Sequence, residues 1–134
     1  MWKRLRFLRT KSKEKEGFSH RKACKGGEKK HDSIYTTVIS QYELLTPVYH
    51  KGLKNEERTI RAFLRRSVVL PLDQKSAEES SRIMGGLFKL GIPVNALDTL
   101  IAGIAIVAGA NKIATLDRDF LQIVKVTDID IVVI

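Results

Sequence analysis

Four carboxylates draw attention by their positions: Glu43, Asp98, Asp117 and Asp119. Glu43 comes just after a β-branched run, and Asp98 heads the most apolar stretch of the chain, residues 96–110. Asp117 and Asp119 directly follow a second apolar run. Carboxylates gathered at one spot repel one another and raise each other's pKa unless a cation neutralises them. Magnesium and manganese are hard divalent ions held by oxygen ligands of this kind. An ion so held lowers the pKa of bound water and stabilises an in-line displacement at phosphorus. Each acid also has a plainer use. Glu43 stands three residues after Ser40, the spacing of a capping box. Asp98 in the first turn of a helix complements the macrodipole, and Asp117 and Asp119 suit a turn and a helix cap after a strand.

Whether the four acids meet depends on the elements that carry them. SIYTTVI (residues 33–39) is β-branched and aromatic and predicts a strand. Ser40 then opens a helix to Gly52, with Glu43 in its first turn and Pro47 straining it. Asn55 caps a second helix that turns Ile60, Phe63 and Leu64 to the core. SVVLPL (67–72) predicts another strand, and Asp73 caps a long helix ending at Gly91. Asn95 caps an apolar helix over residues 96–108. KIATL (112–116) is a strand, 119–123 a helical turn and DIVVI (130–134) the last strand. Strands alternating with helices predict an α/β fold on a mainly parallel sheet, and all-apolar strands suit a sheet covered on both faces. Ligands of such sheets bind beyond the carboxyl ends of the strands. The four acids converge on that edge from three segments.

Length and composition set the frame. The 134 residues fit one domain. The net charge of +9 is confined to the first 30 residues, which hold 12 Lys or Arg against 3 Glu; residues 31–134 hold 12 of each sign. The expected organisation is therefore a basic, poorly ordered arm over residues 1–30 and a folded domain over 31–134. Within the arm, Leu5, Phe7 and Leu8 with Trp2 allow one short amphipathic turn or strand. The single cysteine, Cys24, excludes an intramolecular disulfide. Residues 96–110 are too few to span a bilayer, and no apolar run suits a signal peptide, which makes the cytoplasm the expected compartment. His20, His31 and His50 lack ligand spacing. Arg58, Arg61, Arg65 and Arg66 share one helix as a solvated face that is also able to meet phosphates.

The stretch ALDTLIAGIAIVAGANKIATLDRDF resembles the C-terminal half of PIN-domain ribonucleases, among them the VapC-like toxins of toxin–antitoxin pairs, and IYTTVISQYELL resembles their second strand and following helix. The resemblance spans residues 30–134. It implies a three-layer α/β/α sandwich and metal-dependent hydrolysis of RNA phosphodiester bonds with Mg2+ or Mn2+. It implies Glu43, Asp98, Asp117 and Asp119 as metal-site acids and Thr115 as an orienting hydroxyl. It also implies RNA as substrate, with a small antitoxin and a second copy of the chain as partners; no membrane partner is expected, since the longest apolar stretch is too short to span one. One departure is plain: the family's first strand ends in an acid, and no Asp precedes Asp32. Three or four acids then suffice, or the scaffold is a degenerate module that binds nucleic acid or protein, or the first 30 residues reflect a changed frame or start site.

Overall fold

The structure, a computed structural model, describes residues 33–134 and the backbone of Phe7–Arg9. Five strands form one sheet: β1 (Phe7–Arg9), β2 (Ile34–Thr37), β3 (Ser67–Leu70), β4 (Lys112–Thr115) and β5 (Asp130–Val133), in the order β3-β2-β1-β4-β5. The helices are α1 (Val38–Lys51), α2 (Lys54–Arg66), α3 (Gln74–Lys89), α4 (Ala96–Val107) and the short α5 (Phe120–Ile123), with a 3-10 turn at Val124–Val126. Together they make a three-layer α/β/α sandwich.

β2 pairs with β3 in parallel and β4 with β5 in parallel, while β1 is antiparallel to both inner neighbours. Four strands thus point one way and end at a common edge, and only the central one runs back. β1 lies inside the segment expected to be an arm, at the Phe7–Leu8 pair whose apolar character allowed a short strand. The rest of residues 1–30, with His20 and Cys24, falls outside the described residues, as do His31 and Asp32.

The expected elements are present with shifted ends, and each shift has a local cause. The β-branched run stops being strand at Thr37, because the Thr37 hydroxyl accepts the Ser40 amide at 3.0 Å and caps α1 three residues earlier than expected. The expected Ser40–Glu43 capping box is thereby corrected. Ser40 is the third residue of α1, and Glu43 sits in the second turn rather than the first. α2 begins at Lys54, since the Glu57 amide already reaches the Leu53 carbonyl at 2.9 Å; Asn55 is inside the helix, not its cap. Asp73 and Ser76 close a full capping box on α3, and Asn95 caps α4 by accepting the Leu97 amide. Gly52 and Gly91 follow α1 and α3 at φ of 65° and 70°, the left-handed conformation that glycine tolerates.

The core lies where α3 and α4 cross. Ile83 and Leu87 from α3 meet Ile101, Ala102 and Ala105 from α4, with Ile113 of β4 beneath and Phe120, Ile123 and Ile129 closing the end. The two helices approach closely at Gly103. A Cβ there would stand 2.0 Å from Ser80 Oγ and 2.7 Å from the Ser76 carbonyl oxygen. This crossing fixes the position of α4, and with it Asp98.

Candidate metal centre

Asp98 is the third residue of α4 and is 0% exposed. A helix this apolar buries nearly every face, and the polar residues it carries at its start, Asp98 and Thr99, go inside with it. The amino end of α4 points to the edge where β4 ends, and there Asp98 meets Asp117 and Asp119. One carboxylate oxygen from each of the three lies within 4.8 Å of the others. The three differ in surroundings: Asp98 is buried, Asp117 half-buried and Asp119 exposed.

The sequence T-x-D-x-D arranges its own side chains. Thr115, the last residue of β4, is fully buried, and its Oγ1 accepts the Asp117 amide at 3.0 Å. Asp117 Oδ1 in turn accepts the Asp119 amide at 3.0 Å. Each side chain thus bonds the backbone two residues on, as Thr and Asp readily do where a strand gives way to a turn. One Asp117 oxygen is engaged inside the loop, and the turn sets the direction of both acids.

Glu43 is not a member of the three-carboxylate group. It lies half-buried on α1, three residues beyond the buried Ser40 and therefore on the same side of the helix. Ser40 Oγ stands 3.2 Å from Thr37 Oγ1 at the end of β2. Glu43 is thus held at the sheet edge of α1, while the other three acids come from α4 and the loop after β4. His50 is exposed on the last turn of α1. The functional element that sequence reasoning missed is the cap: Thr37 and Ser40, buried hydroxyls at the carboxyl end of β2, were legible as T-x-x-S.

Three carboxylates this close, one of them wholly buried, could hold a hard cation. The all-oxygen chemistry fits magnesium or manganese and disfavours soft, thiolate-seeking metals. β1 runs opposite to its neighbours, so its carboxyl end lies at the other edge of the sheet. Its Arg9 pairs with Lys112 at the start of β4, the end of that strand away from Asp117.

The PIN domain family model matches residues 8–126, which extends the similarity back into the first strand. No curated protein matches the sequence. Among the solved structures to which the chain is similar are VapBC assemblies. A chain of the DNA-bound VapBC from Salmonella typhimurium aligns over 72% of each chain at 23% identity, with a TM-score of 0.63. A chain of VapBC2 from Rickettsia felis, bound to a DNA fragment from its promoter, aligns over 76% of this chain and 75% of its own, at 21% identity and TM-score 0.66. A chain of VapBC-5 from Mycobacterium tuberculosis aligns over 75% and 81%, at 23% identity and TM-score 0.66.

Proposed function

Since this chain belongs to the PIN domain family, we propose that it is a metal-dependent endoribonuclease of the toxin type. The observation that carries the reading is the meeting of Asp98, Asp117 and Asp119 at the carboxyl edge of the sheet. These acids, with Glu43 as a fourth from α1, would hold a magnesium or manganese ion. When bound, such an ion supplies Lewis-acid polarisation of a phosphate oxygen and a more acidic water. The chain's own residues prepare the place. Asp98 brings a negative charge into a dry wall, where its pull on a cation is least screened. Thr115 holds the Asp117 backbone, and the Asp119 amide holds one Asp117 oxygen, so the carboxylates need little reorganisation. A small antitoxin and a second copy of the chain are the proposed partners, by analogy with the assemblies it resembles. The cytoplasm is the proposed compartment, and no helix of the described residues is long and apolar enough to cross a membrane.

A second reading has its own support. The central strand runs antiparallel and carries no acid, which favours a catalytically degenerate module that binds nucleic acid or protein. The deciding experiment is cleavage of a long unstructured RNA with magnesium or manganese, with Asp98→Asn alongside. Metal-dependent products lost in Asp98→Asn support the nuclease. RNA binding without products at any metal concentration supports the degenerate module.

A further inference from the structure

α1 leaves the sheet edge with one side turned to the strands and the other turned out. The outward side carries Tyr42 and Tyr49, seven residues apart, 61% and 69% exposed. Two large aromatic rings thus stand open on one helix face. At 1.5 Å per residue they stand about 10 Å apart along the axis, and Tyr42 is adjacent to Glu43.

The neighbouring helix lines this aromatic face with cations. Lys54, Arg58, Arg61 and Arg65 recur at spacings of four, three and four, which places all four on one stripe of α2. Arg61 shows where that stripe points. Its Nη2 donates to the Tyr49 hydroxyl at 2.8 Å, and its Nε donates to Glu57 Oε1 at 2.7 Å. The cationic stripe therefore borders the aromatic face at Tyr49, with Lys54, Arg58 and Arg65 exposed on either side. Open aromatic rings beside a row of cations are the two components by which proteins hold single-stranded nucleic acid: bases stack, and phosphates are neutralised.

We propose that the outer face of α1 and the stripe of α2 form a track for single-stranded RNA that leads to the acidic edge. Tyr42 and Tyr49 stack two bases, and Arg58 and Arg65 meet the intervening phosphates. Arg61 is a positioning residue that holds the Tyr49 ring upright through its hydroxyl. A duplex keeps its bases stacked on each other and leaves none for the two rings, so the track selects unpaired RNA. The inference rests on the reading of the acidic site as one that acts on RNA, and it names how that substrate is held.

The test is equilibrium binding of a short oligouridine to the full chain in EDTA, where cleavage plays no part. Tyr42→Ala and Tyr49→Ala should each weaken binding roughly tenfold, and Tyr42→Phe should stay near the parent, because stacking needs the ring; Tyr49→Phe, which keeps the ring and loses the bond from Arg61, should fall between the parent and Tyr49→Ala. Arg58→Gln with Arg65→Gln should make the slope of log affinity against log salt shallower by about 1.4. The basic residues of the first 30 add a background common to all variants, so the comparison between variants is what counts, with melting curves to verify folding. Equal affinity across the variants overturns the track. So does an unchanged RNA affinity when the Tyr→Ala changes instead release a bound protein partner. A chain that binds RNA through this face yet cleaves none under any metal leaves the track standing and overturns the nuclease reading alone.

Discussion

A buried carboxylate beside two others is costly to the metal-free protein, and a bound cation would offset that cost. Asp98 is in that position, and its neutral isostere separates the two effects. Asp98→Asn should leave the melting temperature of the metal-free protein unchanged or higher, by relieving carboxylate repulsion. It should also abolish the stabilisation that added manganese gives the parent, which grows with the logarithm of metal over Kd. A metal-free variant that melts well below the parent would mean that Asp98 serves folding instead. Glu43→Gln asks the same of α1. Thr37, not Glu43, caps that helix, so Glu43→Gln should keep thermal stability and lower metal affinity. Thr37→Ala should cost about 1 to 2 kcal/mol in denaturant unfolding. At this scale the acids were legible in the sequence because charged residues at the ends of apolar runs are conspicuous. That Glu43 sits in the second turn of α1 was not, because Thr37 rather than Ser40 caps that helix and starts it three residues earlier.

The elements hold these residues in place through two devices, and each makes a prediction. At the start of α3, the amide and the hydroxyl of Ser76 both donate to Asp73 and hold its carboxyl below its ordinary value near 3.8. A carboxyl with a lowered folded-state pKa stabilises above its unfolded value, and the contribution is lost as pH falls through the folded one. Glu79, bonded by Arg82, is lowered in the same sense. Thermal melts from about pH 5 to about pH 2 should therefore fall, and Asp73→Asn should flatten part of that fall while keeping much of the cap. At the crossing of α3 and α4, Gly103→Ala forces a Cβ onto Ser80 and the Ser76 carbonyl. The expected loss is about 3 kcal/mol or more, since helix backbones cannot yield as side chains do. Ser80→Ala should not restore it, because the Ser76 oxygen at 2.7 Å and the Ser80 nitrogen at 2.9 Å remain. Full rescue in denaturant titrations would show that only the Ser80 hydroxyl mattered. Caps at Asp73 and Asn95 were readable from residue type, whereas the glycine contact depends on which helix α4 meets.

For the molecule as a whole, the direction of β1 has the widest consequences. β1 joins the two parallel pairs, so removing residues 1–30 takes out the strand on which β2 and β4 both bond. Two unpaired inner edges are a heavy penalty, and the truncated chain should lose its cooperative thermal transition by circular dichroism. A sharp transition at the parent temperature would show that β1 is dispensable. Because β1 carries no acid, the proposed nuclease should cleave weakly at millimolar magnesium and be partly rescued by manganese, which such oxygen sites bind more tightly. A first strand ending in Asp-Thr should raise the rate by orders of magnitude. Alternating apolar runs, capping residues and turn glycines determined the α/β order and nearly every element, because those signals act within a few residues. The acidic residues were fixed in identity and in rough position by the same short-range logic. Only the tertiary structure decided that β1 runs backward through the sheet centre, that Asp98, Asp117 and Asp119 come within 4.8 Å of one another, and that Arg61 reaches Tyr49. Those outcomes turn on strand pairing and helix crossing between segments far apart in the chain, where many partners satisfy the same local pattern and packing selects one.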